Sequence, residues 1–227
     1  MKDHVLAALV PMTWKMLNQS SVVLDQWIPK RMAKKLALRE DKSLFLGLGS
    51  QSEPRGIFNW GINSKTWATP AWGAIGTLQN ITDQLIKMVE AVVDSNVNLG
   101  SASKLAWAMS TKVLFALGSV KDSDGYPIFK EMNAAAPTNL LGYKAYASTQ
   151  LKASALTAEN ILFGDFSEAV LGRWGTIAFA ASDQTSTNFA TLRTSVRAVM
   201  AHDVGVMQDL AFCKGASVDV NGAPAYA

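Results

Sequence analysis

Residues that build disulfides and metal centres are scarce in this sequence. Its 227 residues include one cysteine, Cys213, and two histidines, His4 and His202. One cysteine excludes an internal disulfide framework and every metal site that needs several thiolates, and it favours a reducing compartment. Neither histidine has a second ligand at metal-site spacing, so we predict no metal centre. We expect His202, next to Asp203, to be a solvated or satisfied turn histidine without a catalytic role.

Long uninterrupted apolar runs are also missing. No stretch reaches the roughly 18 apolar residues that a membrane-spanning helix needs, so we expect no membrane partner. The apolar run near the N-terminus is short, and Pro11 followed by Trp14 offers no small-residue cleavage site. We therefore predict that Val5 to Met12 is a strand rather than a targeting segment.

Strong charge of one sign is absent too. The 21 basic and 18 acidic residues leave a formal net charge of +3, so any contact with nucleic acid has to be local. The sequence has no motif for a nucleophilic serine or a phosphate-binding loop, and Ser52 replaces the third glycine of a dinucleotide loop after Gly47 and Gly49. We predict that the protein is not an enzyme and has no cofactor. A pocket assembled from distant loops is the alternative.

Two helical stripes stand out in a chain of ordinary globular composition. Apolar residues at helical spacing predict a long helix from Leu24 to Gly47 and a second helix from Ile75 to about Asp94. The first stripe is Leu24, Ile28, Met32 and Leu36, continued by Leu38 and Phe45; the second is Ile75, Leu78, Ile81, Leu85, Met88, Val89 and Val92. Residues 47–70 are rich in glycine, serine, asparagine and proline, which predicts turns and a domain boundary.

Strand patterns occupy much of the remaining chain, so the predicted fold class is α+β. Lys104 to Met109 predicts a buried strand, and Ser110 then caps a short helix. Further strands are predicted at Leu140 to Ser148 and Ala169 to Ala180. The alternation from Leu192 to Met200 is typical of a half-buried strand, and we expect Met207 to Cys213 to return beside it as a long hairpin.

A basic stripe on the first predicted helix is the best electrostatic candidate for a binding surface. Its members lie on one side of the helix: Arg31, Lys35, Arg39 and Lys42. Such a stripe can lie beside nucleic-acid phosphates in non-specific, salt-sensitive contacts. The alternative is a solvated face that Glu40 and Asp41 partly neutralise.

Tryptophan is abundant, with seven residues in the chain, and most of them should be core residues. Trp60 and Trp67 lie in the turn-rich segment, where periodicity is weak. Because aromatic side chains are enriched at interfaces, these two are candidates for intersubunit anchors. Burial in the core is the alternative.

The order of several short motifs resembles the major capsid proteins of tailed bacteriophages and prophages, whose Hong Kong phage-type fold is shared with encapsulins. The resemblance covers almost the whole chain. The motifs are, in order, Val10-Pro11-Met12, residues 37–49 at the end of the long helix, Pro54-Arg55-Gly56-Ile57, Trp107 with Met109 to Leu117, Leu141-Gly142-Tyr143, Phe163-Gly164-Asp165-Phe166, and the run ending at Phe212. Their shared order carries the resemblance.

The resemblance implies a long spine helix, a peripheral β-hairpin and a mixed α/β axial domain. Residues 1–49 with 188–227 would form the peripheral domain, and residues 50–187 the axial domain. It also implies a structural subunit that binds copies of itself around packaged DNA, in the virion capsid and, before assembly, in the host bacterial cytoplasm. The chain begins after the position of the family's N-terminal arm and extended loop, so we expect a truncated form; the alternative is that copies associate only when the missing N-terminal region is present. An encapsulin-like compartment subunit is the alternative.

Overall fold

The chain combines helices with β-sheets, which confirms the predicted α+β class. The computed structural model describes residues 1–19, 24–50, 53–66, 78–95, 97, 104–121, 124–130, 139–152 and 158–219. The helices are α1 (Trp14–Gln19), α2 (Leu24–Leu46), α3 (Leu78–Val93), α4 (Thr111–Ser119) and α5 (Ser186–Thr191). The strands are β1 (His4–Thr13), β2 (Asn63–Thr66), β3 (Leu105–Met109), β4 (Asn139–Leu140), β5 (Tyr143–Ala147), β6 (Ala158–Asp165), β7 (Ala169–Ser182), β8 (Arg193–Val206) and β9 (Phe212–Asp219). Within these ranges no helix has both the length and the apolar character needed to cross a membrane.

The chain folds into two compact units, and each unit is built from two separate stretches of sequence. Unit 1 comprises Met1–Gly56 and Leu171–Gly205, and unit 2 comprises Ile57–Val170 and Val206–Ala227. The first change of unit, after Gly56, falls within the turn-rich segment 47–70. Strands that are distant in sequence therefore share a sheet.

Unit 1 contains a three-stranded sheet in the order β1-β8-β7. β1 pairs antiparallel with β8 along its whole length, from His4 opposite His202 to Thr13 opposite Arg193. The strands predicted at the N-terminus and after Leu192 are thus confirmed. β8 is the central strand of this sheet, and β1 covers its residues 193–202.

The predicted hairpin between β8 and residues 207–213 is wrong. β8 continues to Val206 and neighbours β1 and β7, whereas the residues after the short turn Asp209–Ala211 form β9 in the sheet of unit 2. The long hairpin of unit 1 is formed instead by β7 and β8, joined through α5. An alternating pattern identifies the buried face of a strand but not its partner, because any strand with the same period can complete the ladder.

The long helix α2 packs on one face of the unit 1 sheet. The core cluster consists of Met12, Ile28, Met32, Leu36, Ala198 and Met200. The first helical stripe is therefore confirmed by burial of its members at Ile28, Met32 and Leu36. Farther along α2 the buried residues are polar, Glu40 and Ser43, which the apolar stripe did not predict.

Unit 2 is built on a mixed sheet in the order β2-β9-β6-β3-β5-β4. β3 is antiparallel to β6 and parallel to β5, and all its residues are buried. Trp107 donates from Nε1 to the Leu140 carbonyl at 3.1 Å, and its ring centroid lies 4.5 Å from that of Phe163. The buried face of α3 contributes Ile81, Leu85, Met88 and Val92, as the second helical stripe predicted.

Two local predictions in unit 2 have different outcomes. Ser110 is the N-terminal cap of α4, as predicted, because its Oγ accepts a hydrogen bond from the Val113 amide at 3.3 Å. The single strand predicted at Leu140 to Ser148 is wrong, since β4 and β5 are separate strands joined by a tight turn. Leu141 and Gly142 have φ angles of 52° and 83°. This geometry suits a two-residue hairpin turn, but leucine is not a usual signal for it.

Candidate functional site

The basic stripe lies on the exposed side of α2. Its four predicted members, Arg31, Lys35, Arg39 and Lys42, are all exposed. The guanidinium of Arg39 forms an ion pair with the Glu53 carboxylate, and Cζ of Arg31 lies 5.2 Å from the centroid of the Trp27 ring. Within the described parts of the chain, Lys35 and Lys42 form no ion pair. The stripe therefore contains two cations with partners in unit 1 and two that are open to an external anion.

Glu40 does not neutralise this stripe, contrary to the sequence-based alternative. Its side chain belongs to the buried face of α2, and the residue is 5% exposed. Arg173 of β7 donates from Nε to Oε1 at 2.6 Å and from Nη2 to Oε2 at 2.7 Å. This hydrogen bonding, reinforced by charge attraction, raises the pKa of Arg173 above its ordinary value.

His202 is a buried strand residue, so the prediction of a turn histidine is wrong. It is 2% exposed, and its Nε2 lies 2.7 Å from the Ser43 Oγ on α2. The neighbouring Asp203 accepts from the Lys2 amide at 2.7 Å, and its Oδ1 lies 3.9 Å from His4 Nε2. We call Glu40, Ser43, Arg173, His202 and Asp203 the polar cluster. It joins α2, β7 and β8 inside unit 1.

Sequence reasoning missed the polar cluster, although two periodicities point to it. Glu40 follows Leu36 at the four-residue step of the buried stripe on α2. His202 follows Met200 at the two-residue step of the buried face of β8. Both steps place a polar side chain on a face that the preceding apolar residues bury. Continuing each period through its polar positions would have predicted burial of both residues.

Of the two predicted tryptophan anchors, the structure describes Trp60. Trp60 follows the short helical turn Ile57–Asn59 in unit 2 and is partly buried, and its amide donates to the Ile57 carbonyl at 3.2 Å. Trp67 lies outside the described residues. The expectation that most tryptophans are core residues holds for Trp107 and is wrong for the exposed Trp14, Trp27 and Trp174.

Large apolar side chains are exposed at one end of the unit 1 sheet, where the sequence analysis proposed no site. Phe189 of α5 is 81% exposed, Leu192 is 71% exposed and Trp14 is 63% exposed. The Trp14 amide donates to the Leu192 carbonyl at 2.9 Å, which joins the start of α1 to the end of α5. Exposed apolar groups that are gathered in this way are typical of surfaces that bind other proteins.

Two ionisable side chains of unit 2, those of Glu159 and Cys213, lie in its buried interior. Glu159 is fully buried, and Lys112 Nζ lies 3.5 Å from its Oε1. Burial raises the pKa of Cys213 to about 11, with a smaller opposing effect of Lys65, so the thiol is neutral near pH 7 and a poor nucleophile. In the described ranges no group of three or more histidine, cysteine, aspartate and glutamate side chains is arranged to hold a metal ion.

Solved structures of phage and GTA particles share this fold. The capsid of an empty GTA particle superimposes with a TM-score of 0.76 at 19% identity, covering 95% of this chain and 74% of that chain. A structure from Mycobacterium phage Ogopogo gives a TM-score of 0.73 at 15% identity, with 95% and 76% covered. The capsid of Myoviridae phage XM1 gives 0.66 at 14% identity, with 95% and 74% covered. At these identities the likeness establishes the fold, which confirms the predicted capsid architecture.

Sequence comparison leads to the same group of proteins. The major capsid protein of Klebsiella oxytoca phage phiKO2 is 24% identical over 216 residues, which cover 88% of this chain and 48% of that protein. The chain thus spans about half the length of this curated relative. The model of the phage capsid family matches residues 1–217. Since that match includes nearly every residue, the chain belongs to the phage capsid family.

Proposed function

We propose that this chain is a structural subunit of a phage or prophage capsid shell that associates with copies of itself into capsomers around packaged DNA. The observation that carries the proposal is the fold similarity to an assembled capsid, which extends over 95% of the chain with a TM-score of 0.76. Such a subunit acts by burying surface against like subunits, and closed symmetry multiplies each modest contact. It belongs to the host cytoplasm before assembly and to the virion capsid afterwards.

Unit 1 is assigned to the peripheral domain of the capsid fold and unit 2 to the axial domain. Unit 1 contains the long helix α2 and the β7–β8 hairpin, and unit 2 contains the mixed sheet with α3 and α4. The discontinuous division of the chain supports this assignment, but its bounds differ from the expected ones, since residues 171–187 lie in unit 1 and residues 206–227 in unit 2. The partial exposure of Trp60 supports its proposed role, with Trp67, as an anchor between subunits.

Self-association is the direct test of the proposed function. The purified chain should form capsomers or shells as its concentration rises, because each copy presents the same complementary surfaces. Light scattering measures the mass of the particles, and electron microscopy of the same samples shows their symmetry. A monomer that persists over a wide concentration range contradicts the proposal.

The basic stripe is assigned to the genome-facing surface of the subunit. Lys35 and Lys42 are exposed without an ion-pair partner in the described residues, whereas the charge of Arg39 is already paired with Glu53. Phosphate contacts of this kind release counterions and carry no base specificity. Binding of DNA to the stripe should therefore be weak and independent of sequence.

Salt dependence separates this contact from a general charge effect. We expect DNA affinity to fall steeply with salt, and we expect a Lys35→Glu, Lys42→Glu variant to lose both binding and most of the salt slope. A Lys144→Glu, Lys152→Glu variant changes the net charge equally at exposed residues of unit 2 and serves as the matched control. Equal binding by the two variants in a fluorescence anisotropy titration would remove the stripe from the proposal.

A further inference from the structure

The polar cluster of unit 1 contains a buried imidazole that links a helix to a sheet. His202 of β8 is 2% exposed and stands opposite His4 of β1. Its Nε2 reaches the Ser43 Oγ on α2 at 2.7 Å. A hydrogen bond between Ser43 and the titratable side chain of His202 therefore links the C-terminal part of α2 to β8.

The hydrogen-bond donors and acceptors around Ser43 determine which nitrogen of His202 carries the proton. A serine hydroxyl has one proton, and the Ser43 hydroxyl donates it to the Glu40 carbonyl at 2.8 Å. Its oxygen then accepts from His202, so the neutral imidazole carries its proton on Nε2. Nδ1 is left as an acceptor that is buried and has no hydrogen-bond partner among the described residues.

A second proton, on Nδ1, has no acceptor within hydrogen-bond distance among the residues that the structure describes. Arg173 donates to both carboxylate oxygens of Glu40. The carboxylate of Asp203 accepts from the amides of Lys2 and Val204 at 2.7 and 2.8 Å. Carboxylate oxygens can accept further hydrogen bonds, but none of these oxygens lies within hydrogen-bond distance of Nδ1. An N–H group at Nδ1 therefore remains unsatisfied, which is costly in a buried position.

Charged groups around His202 act in both directions. Burial is the largest effect and lowers the pKa of His202, because a buried imidazolium loses its hydration. Glu40 and Asp203 favour the imidazolium, whereas His4 and Arg173 oppose it. The carboxylates therefore do not compensate for the loss of hydration.

We propose that His202 is a pH-sensitive contact between α2 and β8. The neutral imidazole holds α2 against β8, and protonation in acid releases the C-terminal part of α2. The neutral ring holds the Ser43 hydroxyl through Nε2–H. Protonation creates a buried cation with an unsatisfied Nδ1–H, and access of water to the ring relieves both penalties. Because α2 covers this face of β8, water enters when the end of α2 moves away.

The pH dependence has a definite sign. The folded-state pKa of His202 lies below the unfolded value of about 6.5, so the unfolded chain binds the proton first as the pH falls. The stability that neutral His202 contributes is complete above about pH 6.5 and is lost as the pH falls from there to the folded-state pKa. In that window the ratio of folded to unfolded unit 1 falls by up to about tenfold per pH unit.

Nitrogen NMR of the whole chain tests which ring nitrogen of neutral His202 carries the proton. The chain has two histidines, so labelled histidine gives two sets of ring signals, and a His4→Gln variant assigns them. At about pH 7.5 we expect His202 to show a protonated Nε2 and an unprotonated Nδ1. A proton on Nδ1 at that pH overturns the proposal, because the bond to Ser43 would then have the opposite direction.

Hydrogen exchange across pH tests the release itself. His202→Gln keeps an N–H group that can reach Ser43 but does not titrate, and His4→Gln is the matched control. Between about pH 7.5 and about pH 5, wild type and His4→Gln should lose protection at residues 36–46 and in β8, while His202→Gln keeps it. The loss should approach tenfold per pH unit, and α3 in unit 2 should be unaffected.

The wild-type chain also supplies a test that needs no variant of His202. Its ring signals should report protonation in the same pH range in which residues 36–46 lose protection. Parallel pH profiles of wild type and His202→Gln, or protonation of His202 without any loss of protection, overturn the proposal. All these measurements concern unit 1 of the isolated chain, so they are independent of whether shells form.

Discussion

Glu40 and Glu159 are both buried carboxylates, but their hydrogen bonding differs in completeness. Each oxygen of Glu40 accepts from Arg173, whereas the oxygens of Glu159 have no hydrogen bond within the described residues and Lys112 Nζ is 3.5 Å away. A buried charge that loses its partner retains the full cost of dehydration. Removal of the partner cation is therefore more damaging than the net contribution of the pair suggests.

Arg173→Met should destabilise unit 1 by about 2 kcal/mol, since it leaves the buried Glu40 without its charge-assisted hydrogen bonds. The expected loss is smaller than that for a fully buried ion pair, because the Arg173 side chain is 57% exposed and water can reach the site. Hydrogen exchange of β8 amides in wild type and variant measures the change.

Arg39→Met is the matched control for this substitution. Arg39 is paired with Glu53, but both side chains are substantially exposed, and surface ion pairs contribute about 0–1 kcal/mol. If the two variants lose equal stability, burial of Glu40 is not what gives the Arg173 pair its importance.

The side chain of Ser110 caps the N-terminus of helix α4, as the sequence predicted. Ser110 accepts from the Val113 amide, and its own amide donates to the Asn160 carbonyl at 3.1 Å. Ser110→Ala should lower the free energy of unfolding of unit 2 by about 1 kcal/mol, because the Val113 amide at the helix N-terminus loses its hydrogen-bond acceptor. Urea denaturation, followed by hydrogen exchange of α4, measures this loss.

Ser119→Ala tests whether the effect comes from capping. Ser119 is the last residue of the same helix, is exposed, and donates to the Ala116 carbonyl at 2.7 Å. An exposed substitution of this kind changes stability by about 0.5 kcal/mol or less. A loss at Ser119 as large as that at Ser110 would show that the N-terminal hydrogen bond is not decisive.

Prediction of elements from sequence succeeded where one face of an element is consistently apolar. α2 and α3 follow the helical period at Ile28 to Leu36 and Ile81 to Val92, and burial in their units selects that face. β4 and β5 were predicted as one strand because the first residue of the Leu141-Gly142 turn is a leucine rather than the usual asparagine, aspartate or glycine. The partner of β9 was missed because a strand pattern does not contain the identity of its neighbour.

At the scale of the whole molecule, the chain enters unit 1, passes to unit 2, returns and ends in unit 2. If copies assemble into closed shells, each subunit gains contacts on several sides at once, so assembly is cooperative. The particle fraction in the proposed light-scattering experiment should therefore rise sharply above a threshold concentration. A gradual rise to dimers and trimers without a threshold would favour open association over a closed shell.

Local patterns in the sequence predicted α2, α3 and α4, the buried face of β8, the Ser110 cap, and the order of motifs that resembles capsid proteins. These features depend on residues close together in the chain, where spacing alone identifies a face or a helix end. The pairing of strands and the burial of Glu40 and His202 were not predictable from such local patterns. Pairing and burial of polar residues depend on partners such as β1 and Arg173, which lie far away in sequence and become neighbours only when the sheet of unit 1 has formed.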